Sequence, residues 1–285
     1  MATVVISPAN VANFLDGGGG HFWVYLQYAQ GLRGRGCDVY WLECLAGSGD
    51  SDRDAAVVAA FARWMDRYGL GGKFIVYTEG GPDAPAQYLA PDRAKAEAVF
   101  RRADLLLNFR YAIAPGLLAR FRRTALVDID PGLLQFWISA GQLQVPPHDV
   151  YLTTGETVGT PAARFPDCGL AWRHIRPPVA LDLWPFAYDP ACEAFTTVSN
   201  WWGHDDWIID GAGINYENNK RVTFLQFADL PRRTRQPLEL ALFLSDKEHD
   251  VRDAGSMRDH GWRIRHSLEV ARTPEMYQSY VQRSR

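Results

Sequence analysis

Cysteine is scarce in this chain, and neither charge sign is in clear excess. Four cysteines occur among 285 residues and none forms a Cys-x-x-Cys pair, which argues against a disulfide framework and against the usual zinc sites. The 30 basic and 33 acidic residues nearly cancel, so the overall charge points to neither a nucleic-acid nor a membrane-surface partner. We therefore expect no zinc site, and any ligand must be recognised by a local site.

Long hydrophobic runs are also missing. No apolar run approaches the roughly 18 residues that a membrane-spanning helix needs. The sequence enters "TVVIS" at residue 3 without the basic and then apolar segments of a signal peptide. Together with the scattered cysteines, which are typical of reduced thiols, these features predict a cytoplasmic protein without a membrane span.

The composition is suited to forming a hydrophobic core, and the sequence pattern alternates between strands and helices. Hydrophobic residues make up 47% of the sequence, which is enough to fill the interior of an α/β protein. Strand patterns alternate with helical segments of roughly 10 to 15 residues, which is typical of a parallel sheet covered on both faces. We expect strands at 3–7, 37–43, 73–78, 104–109, 124–130 and 149–154, and helices at 22–33, 53–68, 92–103, 115–121 and from Pro131.

Four prolines in "RPPVALDLWPFAYDP" (176–190) predict an extended connector between two domains. Residues 1–175 are predicted to form the first parallel-sheet domain, and residues 191–285 the second. Strand patterns at 194–200, 238–244 and 262–267 supply few strands for a sheet of the usual size. We therefore expect the chain to stop inside its second domain.

Four consecutive glycines, Gly17 to Gly20, precede a helical pattern that opens with His21. Glycines at a helix start let a ligand approach the backbone N–H groups closely, and the helix dipole favours an anion there. A flexible connector is the simpler interpretation. A dinucleotide-binding fingerprint is a third interpretation, in which Glu43 would occupy the position of the acidic residue that binds the ribose. The long gap between Ser7 and Gly17 and the missing third glycine argue against it.

His21 is either a solvated or capping residue or a general base. An imidazole titrates near neutral pH and can accept a proton from a substrate hydroxyl. We expect Gly17 to His21 to lie at the carboxyl edge of the first sheet, facing a cleft between the domains together with Asp130 and Thr154. In that position His21 is suited to catalysis.

Two further polar stretches follow predicted strands. "VDIDPG" places Asp128 and Asp130 on one face of a strand, and either metal binding or N-capping of the next helix by Asp130 would explain them; we favour N-capping. "TTGETVG" supplies Thr154 and Glu156, which either bind substrate or cap a helix. We count Asp130 among the candidate catalytic residues, and Thr154 and Glu156 among the candidate binding residues.

Six stretches that together span nearly the whole chain occur in the order "GGGGHFWVYLQYAQGLRGRGCDVYWLE", "TTGETVG", "WRHIRPPVALDLWP", "FTTVSNWWG", "ADLPRRTRQPLELAL" and "TPEMYQSYVQRSR". In these stretches and in their order the sequence resembles a bacterial family of GT-B-type glycosyltransferases. The resemblance implies two facing Rossmann-like domains, with an acceptor held mostly by the first and a nucleotide-sugar by the second. Such enzymes usually bind no metal, so the resemblance also implies that the chain needs no metal and no cofactor besides its nucleotide-sugar substrate. The family pattern continues beyond "YVQRSR", whereas this chain ends at Arg285.

The resemblance also implies roles for individual residues. His21 would deprotonate the acceptor hydroxyl, and the N–H groups of Gly18, Gly19 and Gly20 would help to stabilise the leaving phosphates. Asn200 and Lys220 are weaker candidates for contacts to the donor, since a solvated lysine is common. The alternatives are a nucleotide-sugar epimerase or hydrolase of the same fold, and a non-catalytic sugar- or nucleotide-binding module.

Overall fold

A computed structural model describes residues 1–79, 86–187, 189–202, 208–209, 213–217 and 219–285. By the density of its internal contacts the chain divides into two compact units. Unit 1 comprises Met1–Leu15 and Trp23–Ala180, and unit 2 comprises Asp16–Phe22 and Leu181–Arg285. The expected α/β class with parallel sheets is confirmed in both units.

Unit 1 is built on an eight-stranded sheet with the order β4-β3-β2-β1-β5-β6-β7-β8. Its strands are β1 (Thr3–Ser7), β2 (Asp38–Cys44), β3 (Phe74–Thr78), β4 (Gln87–Ala90), β5 (Leu105–Asn108), β6 (Thr124–Asp128), β7 (Val150–Thr153) and β8 (Trp172–His174). All neighbours pair in parallel except β3 and β4. Without the antiparallel β4 and the outer β8, the order is that of a Rossmann-type sheet.

Helices connect these strands. They are α1 (Gly19–Gly34), α2 (Ser51–Arg67), α3 (Arg93–Arg102), α4 (Pro115–Leu118) and α5 (Leu133–Ser139), and a 3₁₀ helix, η1 (Val11–Phe14), lies between β1 and α1. Strands such as "TVVIS" and "TALVD" are buried at every position, as expected for a sheet with both faces covered. One core cluster joins Val5, Leu42, Ile75 and Leu106 of four neighbouring strands to Phe100 of α3.

Unit 2 contains a three-stranded parallel sheet in the order β13-β12-β9, formed by β9 (Phe195–Asn200), β12 (Leu238–Phe243) and β13 (Arg263–His266). The short strands β10 (Ile208–Ile209) and β11 (Asn215–Tyr216) pair with each other. The helices are α6 (Arg221–Gln226), α7 (Glu248–Asp259), α8 (Ser267–Ala271) and α9 (Pro274–Gln282), with a 3₁₀ helix, η2, at Leu230–Arg233. One face of the sheet packs on Trp201, Met257 and Trp262. Its other face packs through Ala241 on Val270 and Ala271.

Several predicted boundaries are wrong. β6 ends at Asp128, so Asp130 lies outside the strand that was expected to contain both aspartates. α1 begins at Gly19, so His21 is its third residue and not its first. Strands β4 and β8 were not predicted.

Candidate functional site

Buried polar residues end several strands at the carboxyl edge of the unit 1 sheet. β1 ends at Ser7, and its neighbour β5 ends at Asn108. The chain leaves these two strands in opposite directions along the sheet. In sheets of this type, ligands bind at the carboxyl ends of such a pair of strands. Ser7 and Asn108 are both buried. The Ser7 hydroxyl forms no hydrogen bond within the described part of the chain, and the Asn108 amide nitrogen donates to the Arg110 carbonyl at 3.0 Å.

Asp128 organises the ends of β6 and β7. One carboxylate oxygen accepts hydrogen bonds from Gln135 Nε2 at 2.9 Å and Thr153 Oγ1 at 2.8 Å, and the other accepts the Asp130 N–H at 3.0 Å. Burial raises the pKa of the Asp128 carboxyl group, although these donors act in the opposite direction. Because both oxygens are engaged and the residue is fully buried, Asp128 has a structural role. Sequence reasoning missed Gln135, a polar residue that is completely buried in α5.

Asp130 is exposed next to this buried group. Its carboxylate accepts the Tyr111 hydroxyl at 3.0 Å, and that hydroxyl in turn accepts the Ile129 N–H at 3.1 Å. The expectation that Asp130 caps α5 is wrong. The N-cap is Gly132 at φ 91°, whose N–H donates to the Gln135 side chain at 2.6 Å. The side-chain oxygens of Asp130 therefore lie at the surface with a phenol beside them.

Thr154 and Glu156 follow β7 in a turn. The Thr154 N–H donates to the Asp128 carbonyl at 3.0 Å, which keeps this residue beside the end of β6. Glu156 pairs with Arg176 at 3.0 Å, and both side chains are mostly exposed. The alternative that this stretch caps a helix is wrong, because turns and bends follow it to residue 165.

The glycine loop packs closely against the α8–α9 junction of unit 2. The Gly17 N–H donates to the Arg272 carbonyl at 3.1 Å, and Asp16 pairs with the Arg272 side chain at 3.2 Å. A Cβ atom on Gly19 would lie 2.2 Å from the Thr273 carbonyl oxygen, and one on Gly20 would lie 2.8 Å from the Tyr277 ring. Close packing therefore explains why Gly19 and Gly20 have no side chain, which the sequence alone did not reveal.

His21 is half-buried in the first turn of α1, which contains no acidic residue. Gly18 accepts the Phe22 N–H at 2.9 Å and so starts the helical hydrogen bonding. The prediction that residues 17–21 face Asp130 and Thr154 stays a prediction, as do the proposed roles of Gly18, Gly19 and Gly20.

In unit 2, Asn200 is the exposed last residue of β9, and Lys220 is exposed at the N-cap position of α6. The residues that follow them in the chain, Trp201 and Arg221, belong to a side-chain network that the sequence did not predict. Asp253 of α7 accepts Trp201 Nε1 at 3.0 Å and forms an ion pair with Arg221 at 2.5 Å. This network fixes the residue after β9 to the start of α6.

Glu43 does not have the environment of a ribose-binding acid. Its side chain is fully buried, with Oε1 accepting the Ala12 N–H at 2.9 Å and Oε2 accepting Trp41 Nε1 at 2.8 Å. Burial raises the pKa of Glu43 to about 7. Because η1 also occupies the connection where a dinucleotide-binding fold makes a tight glycine turn, the geometry disfavours the dinucleotide alternative.

No group of three or more His, Cys, Asp or Glu side chains suited to a metal ion occurs among the described residues. Of the described helices, none combines the length and apolar character that crossing a bilayer requires. In comparisons with known proteins, no protein-family model matches the chain and no curated protein matches it significantly.

Proposed function

We propose that this protein is a glycosyltransferase of the GT-B type that moves a sugar from a nucleotide-sugar donor to a hydroxyl-bearing acceptor. Unit 1 would bind the acceptor and unit 2 the donor, with His21 as the general base. The observation that carries this proposal is the presence of two separate parallel α/β units in one chain, the larger with the strand order of a Rossmann-type sheet. The family resemblance of the sequence supports the same function.

The carboxyl edge of unit 1 offers groups that suit a sugar hydroxyl. Asp130 is an exposed carboxylate that accepts hydrogen bonds, and the neighbouring Tyr111 hydroxyl already holds one of its oxygens at 3.0 Å. The other oxygen of Asp130 can accept a hydrogen bond from an acceptor hydroxyl. Thr154, held beside β6 by its N–H, adds a hydroxyl to the same edge. We assign Asp130 and Thr154 to acceptor binding in this reaction.

In the proposed reaction a proton passes from the acceptor hydroxyl to the His21 imidazole. The acceptor oxygen attacks the anomeric carbon, and the bond from that carbon to the phosphate oxygen breaks. The nucleoside diphosphate leaves with the bonding electron pair, and backbone N–H groups of Gly18 to Gly20 would stabilise its charge. Asn200 and Lys220, both exposed in unit 2, would contact the donor.

Two measurements test this function. Calorimetric titration with a panel of nucleoside diphosphates and their sugars establishes whether a donor binds. Mass spectrometry of acceptor mixtures then shows whether sugar is transferred. Conversion of the donor without a glycosylated acceptor would instead indicate an epimerase or hydrolase, and binding without any conversion would indicate a binding module. Absence of nucleotide binding would contradict the glycosyltransferase, the epimerase and the hydrolase, and would leave only a sugar-binding module.

A matched pair of variants locates the acceptor site. Asp130→Asn keeps the shape of the side chain but weakens it as a hydrogen-bond acceptor, so we expect the acceptor KM to rise about tenfold while donor affinity is unchanged. Asp104→Asn is the control, because Asp104 precedes β5 at the amino edge and accepts the Thr3 N–H at 2.9 Å. Equal effects of the two substitutions would remove Asp130 from the site.

A further inference from the structure

A cleft of about 540 Å³ lies within unit 2, between one face of its sheet and helix α9. Residues from all three strands, from α8 and α9 and from the segment before β9 line it. On β9 and β12 the lining residues stand near the amino ends of the strands. Asn200, which we assign to the donor, ends β9 at the opposite, carboxyl edge of the sheet. The cleft therefore lies away from that proposed donor contact.

A row of polar side chains crosses the sheet face that lines the cleft. Thr196, Glu239 and Arg263 occupy paired positions on three neighbouring parallel strands, so their side chains point to the same face. Parallel sheets are normally apolar on both faces, because helices cover both. The opposite face of this sheet follows that rule, with Leu240 and Leu242 in its core cluster. The cleft thus has charged groups where such a sheet ordinarily has apolar ones.

Two ion pairs account for four of the charged groups that line the cleft. Arg263 pairs with Glu193 at 3.8 Å, and Arg265 pairs with Glu269 at 3.5 Å. Glu275 lies in the first turn of α9, where the helix dipole stabilises its negative charge. These five groups need no ligand to balance their charges.

One carboxylate and one guanidinium group remain. Glu239 accepts the Tyr280 hydroxyl on Oε1 at 2.5 Å, and its other oxygen has no hydrogen-bond or ion-pair partner in the described part of the chain. Arg283 is the C-cap residue of α9, one turn beyond Tyr280, and its exposed side chain pairs with no carboxylate of the described residues. The cleft therefore presents one negative and one positive group that are available to a ligand.

We propose that this cleft binds a zwitterionic amino acid or short peptide, with the ammonium group on Glu239 and the carboxylate on Arg283. A guanidinium group can donate two parallel hydrogen bonds to a carboxylate, and a carboxylate oxygen accepts one from an ammonium group. Val270 and Met276, which also line the cleft, supply apolar contacts for the side chain of the ligand. The volume of the cleft is in the usual range for a small-molecule site.

The charge of the lining favours a zwitterion over an anion such as a nucleotide. Four glutamates and three arginines line the cleft, so a phosphate group would meet a net negative lining. A ligand that carries only a positive charge would leave Arg283 without a partner. A zwitterion satisfies both remaining groups. The inference does not depend on the proposed sugar transfer, and its test needs no nucleotide-sugar.

Calorimetric titration of the whole chain tests the proposal with L-leucine and the dipeptide leucyl-leucine. Each is compared with its N-acetylated form, which lacks the ammonium group, and with its amidated form, which lacks the carboxylate. We expect at least one of the two zwitterions to bind. Both of its modified forms should bind at least about tenfold more weakly, because each loses a hydrogen bond between charged groups.

Two substitutions assign the charges to residues. Glu239→Gln keeps an oxygen for the Tyr280 hydroxyl but removes the negative charge, so it should weaken the zwitterion about tenfold and leave the N-acetylated form unchanged. Arg283→Gln should likewise weaken the zwitterion and leave the amidated form unchanged. Glu248→Gln and Arg258→Gln are the matched controls, because both residues are exposed on α7, which packs on the opposite face of the sheet. Neither control should change binding.

Thermal melts show whether each variant is folded. If one of them is not, the comparison of the zwitterion with its modified forms on the wild type decides alone. Absence of binding of both zwitterions would overturn the proposal, as would modified forms that bind as tightly as the parent compounds. Binding that neither substitution weakens would place the zwitterion elsewhere on the protein and would equally overturn it.

Discussion

Gly19 lies directly against the backbone of Thr273, so close that a Cβ atom would stand 2.2 Å from the Thr273 carbonyl oxygen and 2.7 Å from that of Ala271. Real Cβ atoms do not approach backbone oxygens this closely, and two carbonyl groups cannot rotate away as a flexible side chain can. The missing side chain at Gly19 is therefore a requirement of packing within unit 2.

We expect Gly19→Ala to lower the free energy of unfolding by about 2 kcal/mol, the usual cost of overpacking. Gly34→Ala is the matched control, since Gly34 ends the same helix and a Cβ there meets no atom within 4 Å. Alanine favours helix, so that variant should melt at or slightly above the wild-type temperature. Identical melting curves for the two variants would show that the contact with Thr273 is not formed in solution.

Asp128 provides a second stability prediction. Asp128→Ala leaves the amide of Gln135 and the hydroxyl of Thr153 without their buried acceptor, so we expect a loss of roughly 3 kcal/mol in urea unfolding. Asp128→Asn retains one acceptor oxygen and avoids burying a charge, and should lose clearly less. An alanine variant no less stable than the asparagine variant would contradict this role of Asp128.

The pH dependence of stability follows from Glu43. Its pKa is about 7 in the folded protein against 4.5 for a solvated glutamate, because burial disfavours the charged form. Between these values the folded state binds more protons than the unfolded state, so this carboxyl group makes the free energy of unfolding fall as pH rises. The stabilisation is complete below about pH 4.5 and is lost by about pH 7.

Urea unfolding of the wild type and of Glu43→Gln at several pH values measures this contribution. The difference in stability between the two proteins should shift in favour of the variant by up to roughly 3 kcal/mol as pH rises through this window. Other titrating groups are common to both proteins and cancel in the difference. A difference that does not depend on pH would mean that Glu43 has an ordinary pKa.

Most strands of the first sheet were predictable because their sequences are rich in β-branched and aliphatic residues. In "TVVIS" and "TALVD" every position except the last, Ser7 or Asp128, carries a β-branched or aliphatic residue, which suits a parallel sheet covered on both faces. β4 and β8 were not predictable on this basis. "QYLA" is half-exposed at one sheet edge, and "WRH" has only three residues, two of them exposed.

The candidate site was less predictable, because its details depend on tertiary contacts. Asp130 was expected to cap α5, but Gly132 at φ 91° and the buried Gln135 take that function, and nothing local in "VDIDPG" distinguishes the two arrangements. The glycine loop contacts residues some 250 positions later in the chain, so its close packing left no local signal. Glu43 occupied the expected position but serves η1 and not a ribose.

His21 carries the prediction on which the proposed reaction depends most directly. If His21 is the general base, His21→Ala should lower turnover about 10²-fold or more, the usual contribution of such a group, while donor affinity changes little. The side chain is half-buried and lies outside the hydrophobic core, so the variant should fold and melt close to the wild type.

His260→Ala is the control for His21→Ala. His260 lies at the carboxyl end of α7, on the amino side of β13, and its ring contacts the Ser256 carbonyl at 2.7 Å. His260→Ala should turn over substrate at the wild-type rate, because His260 lies away from the carboxyl edge of its sheet. Steady-state rates are to be measured beside thermal melts on both variants. Unchanged turnover of folded His21→Ala, particularly with a lowered melting temperature, would assign His21 to the stability of the α1 start and would require another residue to take the acceptor proton.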